Sequence, residues 1–356
     1  MSITGVNTQQ LKSLLIPMIR AKKIPYITGF PGVGKTQVVK QVAEYLNYEY
    51  LPPLYPSCLQ DVEVAGLPVP VENNTRLKRL MDELMEPAFT AKVPSILLID
   101  EFSEGSHAVQ AALAPLIRER YIGKNRLPDH VAIVVAGNKR EHRTGGNLVL
   151  THLLSRFATI VNLVHDVDCW IDWAIKAKIR PEVTSFIKFS PTLLLKFDAD
   201  KSYQEGQAYP NPRSWEYIHD LLELGVPKDL EKVTFSGTIG EEAASMFHAH
   251  LPIFRTNMNL MDIVLNKSSF EFPPAKELAN RWAFCFGVPS MANEKTIVRI
   301  LEIANIIYSK FKESEFSKVI ISSAVANYPE VCNTSIWYDF SKSPLGKSMD
   351  NNRVMV

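Results

Sequence analysis

Eight residues, Gly29-Phe30-Pro31-Gly32-Val33-Gly34-Lys35-Thr36, constrain this chain more than any others. They spell G-x-x-x-x-G-K-T, a spacing that lets a backbone wrap a polyphosphate. Gly29, Gly32 and Gly34 allow the chain to curl with its N–H groups inward, forming a nest for an anion. Lys35 is placed to reach the β- and γ-phosphates, and the Thr36 hydroxyl to ligate Mg²⁺. Pro31, Val33 and Gln37 are counted with the nucleotide-binding set. The pattern needs a strand before it and a helix after it. Ile24-Pro25-Tyr26-Ile27-Thr28 is short, apolar and β-rich, and Val38, Val39, Val42, Ala43 and Leu46 recur at helical spacing. Both conditions hold. The competing reading is a glycine-rich turn that happens to precede a lysine.

A bound triphosphate needs a metal ligand nearby. Ser95-Ile96-Leu97-Leu98-Ile99-Asp100-Glu101 supplies one, as a continuous apolar run ending in two acids. A central parallel strand buried on both faces has this composition, and open α/β sheets place ligands at the C-terminal strand ends. Asp100 is expected to hold Mg²⁺, directly or through water, and Glu101 to polarise an attacking water. The plainer alternative makes both acids caps of the next helix. Val131-Ala132-Ile133-Val134-Val135-Ala136 is a second buried strand, closing on Gly137-Asn138. Asn138 either orients the water against the γ-phosphate or simply forms the turn after a strand.

Strands and helices alternate from residue 24 to 164, which predicts one α/β domain. It includes a helix over 8–20 with Pro17 inside it, a strand at Tyr48–Leu51, a helix over 148–157 and a strand at Thr159–Val164. Between them, Gly66–Val71 followed by Glu72-Asn73-Asn74-Thr75 suggests a hairpin that projects from the core; the plainer alternative is an ordinary irregular connection. Beyond 165 the pattern is helical, at 169–177, 213–224 with Gly225 as cap, 241–250, 276–286, 296–311 and 316–326. The reading is therefore an α/β domain over 1–165, an α-helical domain over 166–250 and a helical extension over 251–356. Its polar tail from Ser341 reads as loose.

Net charge is +1 over 356 residues, so no global positive field recruits nucleic acid. The four cysteines, Cys58, Cys169, Cys285 and Cys332, form no C-x-x-C pair and read as reduced, mostly buried thiols of a cytoplasmic protein. No signal peptide and no membrane span are expected.

The order of these motifs resembles an AAA+ ATPase, and the details resemble the MoxR group. The resemblance is carried by Gly29–Thr36, by Asp61-Val62-Glu63-Val64-Ala65-Gly66-Leu67-Pro68, by Leu116–Gly123 running through Leu127-Pro128 into Val131–Asn138, and by Asn211-Pro212-Arg213-Ser214-Trp215-Glu216. It implies a P-loop NTPase three-layer sandwich with a parallel sheet, followed by a helical lid. It makes Lys35 and Thr36 the Walker A pair, Asp100 and Glu101 the Walker B pair, and Asn138 the first sensor. Arg156, in Ser155-Arg156-Phe157, matches the arginine presented to a neighbouring subunit's nucleotide, and Arg213 matches the second sensor on the lid. Read without the family, Arg156 is a surface arginine favoured at a helix C-terminus. Arg143 is a rival for the trans role. The family often has Asp before the Arg-Phe, where this chain has Ser155. The segment between Asp61 and Lys92 matches the family's helix-2 insert. The resemblance further implies ATP and Mg²⁺ as cofactors, assembly as a ring, typically a hexamer, a protein client, and a von Willebrand factor A domain partner. A nucleic-acid motor and a non-hydrolysing nucleotide-dependent adaptor are the alternative functions; near-neutral charge disfavours the first and the intact acidic pair the second.

Overall fold

The computed structural model describes residues 5–72, 75–138, 148–197, 206–255, 260–265 and 270–350. The chain divides into two compact units, Met1–Asp166 and Val167–Val356. Arg143 and the turn residues Asn73 and Asn74 lie outside the described residues.

The first unit runs β1 (Gly5–Val6), α1 (Thr8–Arg20), β2 (Pro25–Gly29), α2 (Lys35–Leu46), β3 (Glu49–Tyr50), α3 (Asp61–Ala65), β4 (Leu67–Val71), β5 (Arg76–Leu80), α4 (Glu86–Thr90) and β6 (Ser95–Ile99). It continues with α5 (His107–Glu119), β7 (Tyr121–Ile122), β8 (Asn125–Arg126), β9 (Val131–Asn138), α6 (Thr151–Leu154) and β10 (Thr159–Leu163). Six strands form one parallel sheet in the order β1-β10-β2-β9-β6-β3. β2, β6 and most of β9 are buried along their whole length, as the unbroken apolar runs require. Separate apolar clusters cover the two faces. One contains Val38, Val39 and Val42 of α2 with Ile96 and Leu98, the other Val109, Leu113 and Leu116 of α5 with Leu97 and Ile99. This is the P-loop sandwich with helices on both faces.

β9 lies between β2 and β6, so the acids following β6 are not on the strand next to the phosphate loop. They are one strand removed, and Asn138 ends the strand in the gap. β4 and β5 pair antiparallel in a sheet of their own, with every β5 side chain exposed. The helix expected over 148–157 is only Thr151–Leu154. The buried Gln110 carboxamide explains this, because it donates to Leu148 O at 3.3 Å and accepts from the Leu150 N–H at 3.0 Å. Those bonds hold the preceding residues out of a helix.

The second unit is helical: α7 (Val167–Lys176), α8 (Pro181–Phe189), α9 (Pro212–Leu224), α10 (Glu231–Ile239), α11 (Glu241–His250), α12 (Pro252–Arg255), α13 (Leu260–Val264), α14 (Leu278–Gly287), α15 (Ile297–Phe311), α16 (Ser314–Asn327), α17 (Ser335–Ser341) and α18 (Pro344–Asp350). Residues 166–250 and 251–356, set apart in the sequence reading, share one apolar core, since α14 packs on α8 and α16 on α7. The end of the chain corrects an expectation. Residues 344–350 are helical, and Leu345 and Met349 are buried in that same core. The cysteine expectation also changes: Cys285 is buried, but Cys58 is exposed, in the turn after β3. Among the described residues no helix is long and apolar enough to cross a membrane.

His250 gives this unit a pH response. It is buried, bonded through Nε2 to Ser185 Oγ at 2.9 Å, and surrounded by Phe186, Phe189 and Phe254. Burial pushes its pKa down to about 4, against a weaker upward pull from Glu182. The folded ring is neutral, whereas the unfolded ring takes a proton below its ordinary value of 6.5. Stability is therefore intact above that pH and is lost as pH falls toward 4, by up to about 3 kcal/mol if the whole shift is realised. All five tryptophans lie in this unit. Denaturant melts followed by tryptophan fluorescence should thus weaken between pH 7.5 and 5, with a shallower slope in His250→Leu. An unchanged slope in the variant would assign the effect to another group.

Candidate functional site

The loop between β2 and α2 has the conformation its glycines allow. Gly32 and Gly34 take φ of +75° and +100°, values that carry a steric cost for residues with a Cβ. Gly34 is the N-cap of α2, and no side chain caps that helix. The first amides of α2 have no partner within the helix, so they and the helix dipole are left facing whatever anion approaches. Val33 is buried in the cluster under α2, which anchors the loop. Pro31 is partly exposed and Gln37 is exposed on α2.

Lys35 and Thr36, the first residues of α2, tie the loop to two other strands. Lys35 Nζ donates to Gly29 O at 3.2 Å, Phe30 O at 3.0 Å and Asn138 Oδ1 at 2.9 Å. Its side chain is 8% exposed. Thr36 Oγ1 donates to Asp100 Oδ2 at 2.5 Å, and the other Asp100 oxygen accepts from the Glu101 N–H at 2.9 Å. Asp100 is buried while Glu101 is exposed. Glu101 adopts φ +52°, ψ 33°, a left-handed conformation that costs a non-glycine residue about 1–2 kcal/mol. Strain of that kind is found where a side chain must be aimed. Here it turns the Glu101 carboxylate outward, with Ser57 Oγ at 3.5 Å.

Five predicted residues, Lys35, Thr36, Asp100, Glu101 and Asn138, thus meet at one end of the sheet. The hydroxyl of Thr36 and the carboxylate of Asp100 are hard oxygen donors on one spot, the donor set Mg²⁺ prefers. Among the described residues no group of three or more His, Cys, Asp or Glu could hold a metal alone. Phosphate oxygens and water would therefore have to complete its shell.

Arg156 lies apart from this cluster, partly exposed, with Nε donating to His152 O at 3.1 Å. Its neighbour Phe157 is buried, stacked on Tyr26 with ring centroids 4.9 Å apart and edge-on to Phe102. The aromatic anchor fixes the backbone from which Arg156 projects. Arg213 belongs to the other unit. It is exposed in the first turn of α9, where its N–H donates to the N-cap Asn211 Oδ1 at 3.1 Å.

Two supporting residues were not singled out from the sequence. Ser103 is fully buried, and its Oγ accepts the Asn138 N–H at 3.1 Å. Gly137 packs so closely that a Cβ there would sit 2.6 Å from Tyr26 Oη and 3.0 Å from Ser103 Oγ. The one sequence sign was a glycine before the strand-end asparagine, a pattern that also marks ordinary turns.

Residues 26–157 match the family model described as AAA domain (dynein-related subfamily). That segment is similar to the AAA+ domains of this family. No curated protein matches the chain. Among solved structures, the chain is similar to the Thermotoga maritima RuvB Holliday junction branch migration motor at 14% identity and a TM-score of 0.37, covering 99% of this chain and 96% of that one. A putative ATPase from Cytophaga hutchinsonii matches at 13% identity and 0.34, covering 95% and 90%. NtrX from Brucella abortus in complex with ATP matches at 10% and 0.39, covering 99% and 69%.

Close packing lies behind this site. In Gly137→Ala the new methyl has to displace either Tyr26, held against Phe157, or Ser103, held by Asn138. Such overpacking costs about 1–3 kcal/mol. The midpoint of unfolding should fall and nucleotide affinity should fall with it, because Asn138 shifts. Wild-type affinity in a destabilised variant would uncouple Gly137 from the site.

Proposed function

We propose that this chain is an ATP-hydrolysing motor of the MoxR type, which assembles as a ring and remodels a protein partner. What supports the ATPase reading is one observation. Three stretches far apart in sequence, Gly29–Thr36, Asp100-Glu101 and Asn138, meet through the Lys35–Asn138 and Thr36–Asp100 contacts at the C-terminal ends of β2, β6 and β9. A pure nucleotide binder has no use for Glu101, whose left-handed backbone conformation accompanies an exposed carboxylate.

The roles follow from chemistry. Lys35 and the open N-terminus of α2 take the phosphates, exchanging the lysine's carbonyl partners for anionic oxygens. Thr36 and Asp100 hold Mg²⁺, which when bound neutralises charge on the phosphates. Glu101 polarises the attacking water, and Asn138 orients it against the γ-phosphate. Arg156 serves the nucleotide of a neighbouring subunit; an arginine supplied in trans is typically worth about 10³–10⁵ in turnover. The resemblance gives Arg213, on the helical unit, the role of second sensor. The MoxR assignment rests on the segments around Asp61–Pro68, Leu116–Gly123 and Asn211–Glu216, and with it come the ring, the protein client and a von Willebrand factor A domain partner.

Lys35→Ala should abolish nucleotide binding, whereas Glu101→Gln should bind ATP normally and release no phosphate in a steady-state assay. Phosphate release at the wild-type rate by Glu101→Gln would sink the assignment. Arg156→Ala should assemble, as judged by particle mass with ATP, yet turn over slowly. Mixing it with Lys35→Ala should restore part of the activity, because one subunit then contributes the intact site and the other the arginine. Absence of rescue at every mixing ratio counts against a trans role.

A further inference from the structure

Gln110 has no part in the roles above, yet it joins two segments that those roles use. It lies in the first turn of α5 and is fully buried, so both ends of its carboxamide need partners within the protein. The nitrogen donates to Gly105 O at 3.0 Å and to Leu148 O at 3.3 Å, and the oxygen accepts the Leu150 N–H at 3.0 Å. Gly105 closes the turn that begins at Glu101, whereas Leu148 and Leu150 lead into α6 and Arg156.

The two segments are not equally held by their other contacts. A Cβ on Gly105 would sit 2.5 Å from Pro56 Cβ, so close packing already fixes the Glu101 side. α6 has only four residues, too few to keep a helical shape unaided. Its apolar anchors are the buried Leu153 and Phe157, and apolar burial sets depth better than direction. Direction comes from hydrogen bonds. They run unbroken from Gln110 Oε1: the Leu150 N–H donates to it, the Leu153 N–H to Leu150 O at 2.8 Å, and the Arg156 N–H to Leu153 O at 3.0 Å. Arg156 Nε donates back to His152 O, so the side chain follows the path of α6. His107 Nε2 lies 3.1 Å from Leu148 O and supports the same stretch, but the Leu150 N–H, the first link, is taken by Gln110. An apolar side chain of equal length would fill the space and make none of these bonds.

We propose that Gln110 is a positioning residue for Arg156, holding it where the neighbouring subunit's nucleotide needs it. The inference rests on the reading of Arg156 as a residue acting in trans, and adds to it a residue outside every motif. Placement matters because a reacting geometry disturbed by about 1 Å can cost on the order of 10²-fold in rate.

Mixed assemblies test it, because they separate the subunit that gives the arginine from the one that uses it. Lys35→Ala cannot turn over nucleotide itself but can give its arginine to Arg156→Ala, and phosphate release by that mixture is the reference. With Gln110→Met added to the Lys35→Ala subunit, release at the same ratio should fall by at least about threefold, a fraction of what misplacement can cost. With Gln110→Met added instead to the Arg156→Ala subunit, release should stay within that margin of the reference, and the subunit should bind a non-hydrolysable ATP analogue as before. A smaller loss in the first mixture overturns the proposal. So does a comparable loss in the second, which is the mark of a role in the subunit's own site or in its stability. Should Gln110→Met not assemble, as judged by particle mass, Gln110→Glu keeps the shape, lacks the nitrogen donor and is read by the same criterion. If Lys35→Ala alone gives Arg156→Ala no rescue, the trans reading of Arg156 fails first and this proposal with it.

Discussion

A lysine ammonium enclosed at the mouth of the sheet sets the terms for the residues around it. Burying a charge is costly unless it is solvated by the protein. Lys35 meets that requirement with two main-chain carbonyls of the loop that precedes it and the side-chain oxygen of Asn138. The loop that follows these carbonyls takes positive φ at Gly32 and Gly34. The same loop ends at Gly34, the N-cap of α2, where no side chain caps the first amides of the helix, so the lysine and an anion-attracting helix terminus lie in one segment. One interaction therefore couples the loop, the first turn of α2 and the end of β9, and an arriving polyphosphate would relax all three together.

Sheet order does the remaining positioning. With β9 between β2 and β6, the acids and the lysine are separated by one strand width, and Asn138 falls in the space between them. Tyr26, Phe102 and Phe157 pack together below that point. Their contact ties β2, the turn after β6 and the segment after α6 into one body. Ser103 and Gly137 carry that rigidity up to Asn138. A network so closely packed has few ways to yield, which is why small side-chain changes well behind the reactive atoms are felt at the site.

The helical unit is built on different terms. Its core is a single aromatic-rich cluster, with Trp215, Phe186, Phe235 and Phe247 among its largest buried side chains. Trp282, Phe284 and Phe286 of α14 are core residues and present no interaction face. Buried charge is paired, as in Arg255–Glu231 and Arg281–Glu313, and the buried His250 is kept neutral by its surroundings.

The sequence alone determined the phosphate loop, the buried parallel strands and the helical character of everything beyond residue 165. These are properties of local spacing: a glycine pattern that fixes backbone freedom, apolar runs that fit a sheet buried on both faces, and helical periodicity. It also named Lys35, Thr36, Asp100, Glu101 and Asn138, because a polyphosphate site needs those residue types at strand ends. Only the tertiary structure decided that β9 separates the loop from the acids, that Gln110 shortens α6, and that α18 packs into the core rather than trailing as a tail. It alone revealed Ser103 and Gly137. The physical reason is common to all of them: each acts through a partner remote in sequence, and a serine or a glycine carries no local mark of the neighbour it will meet.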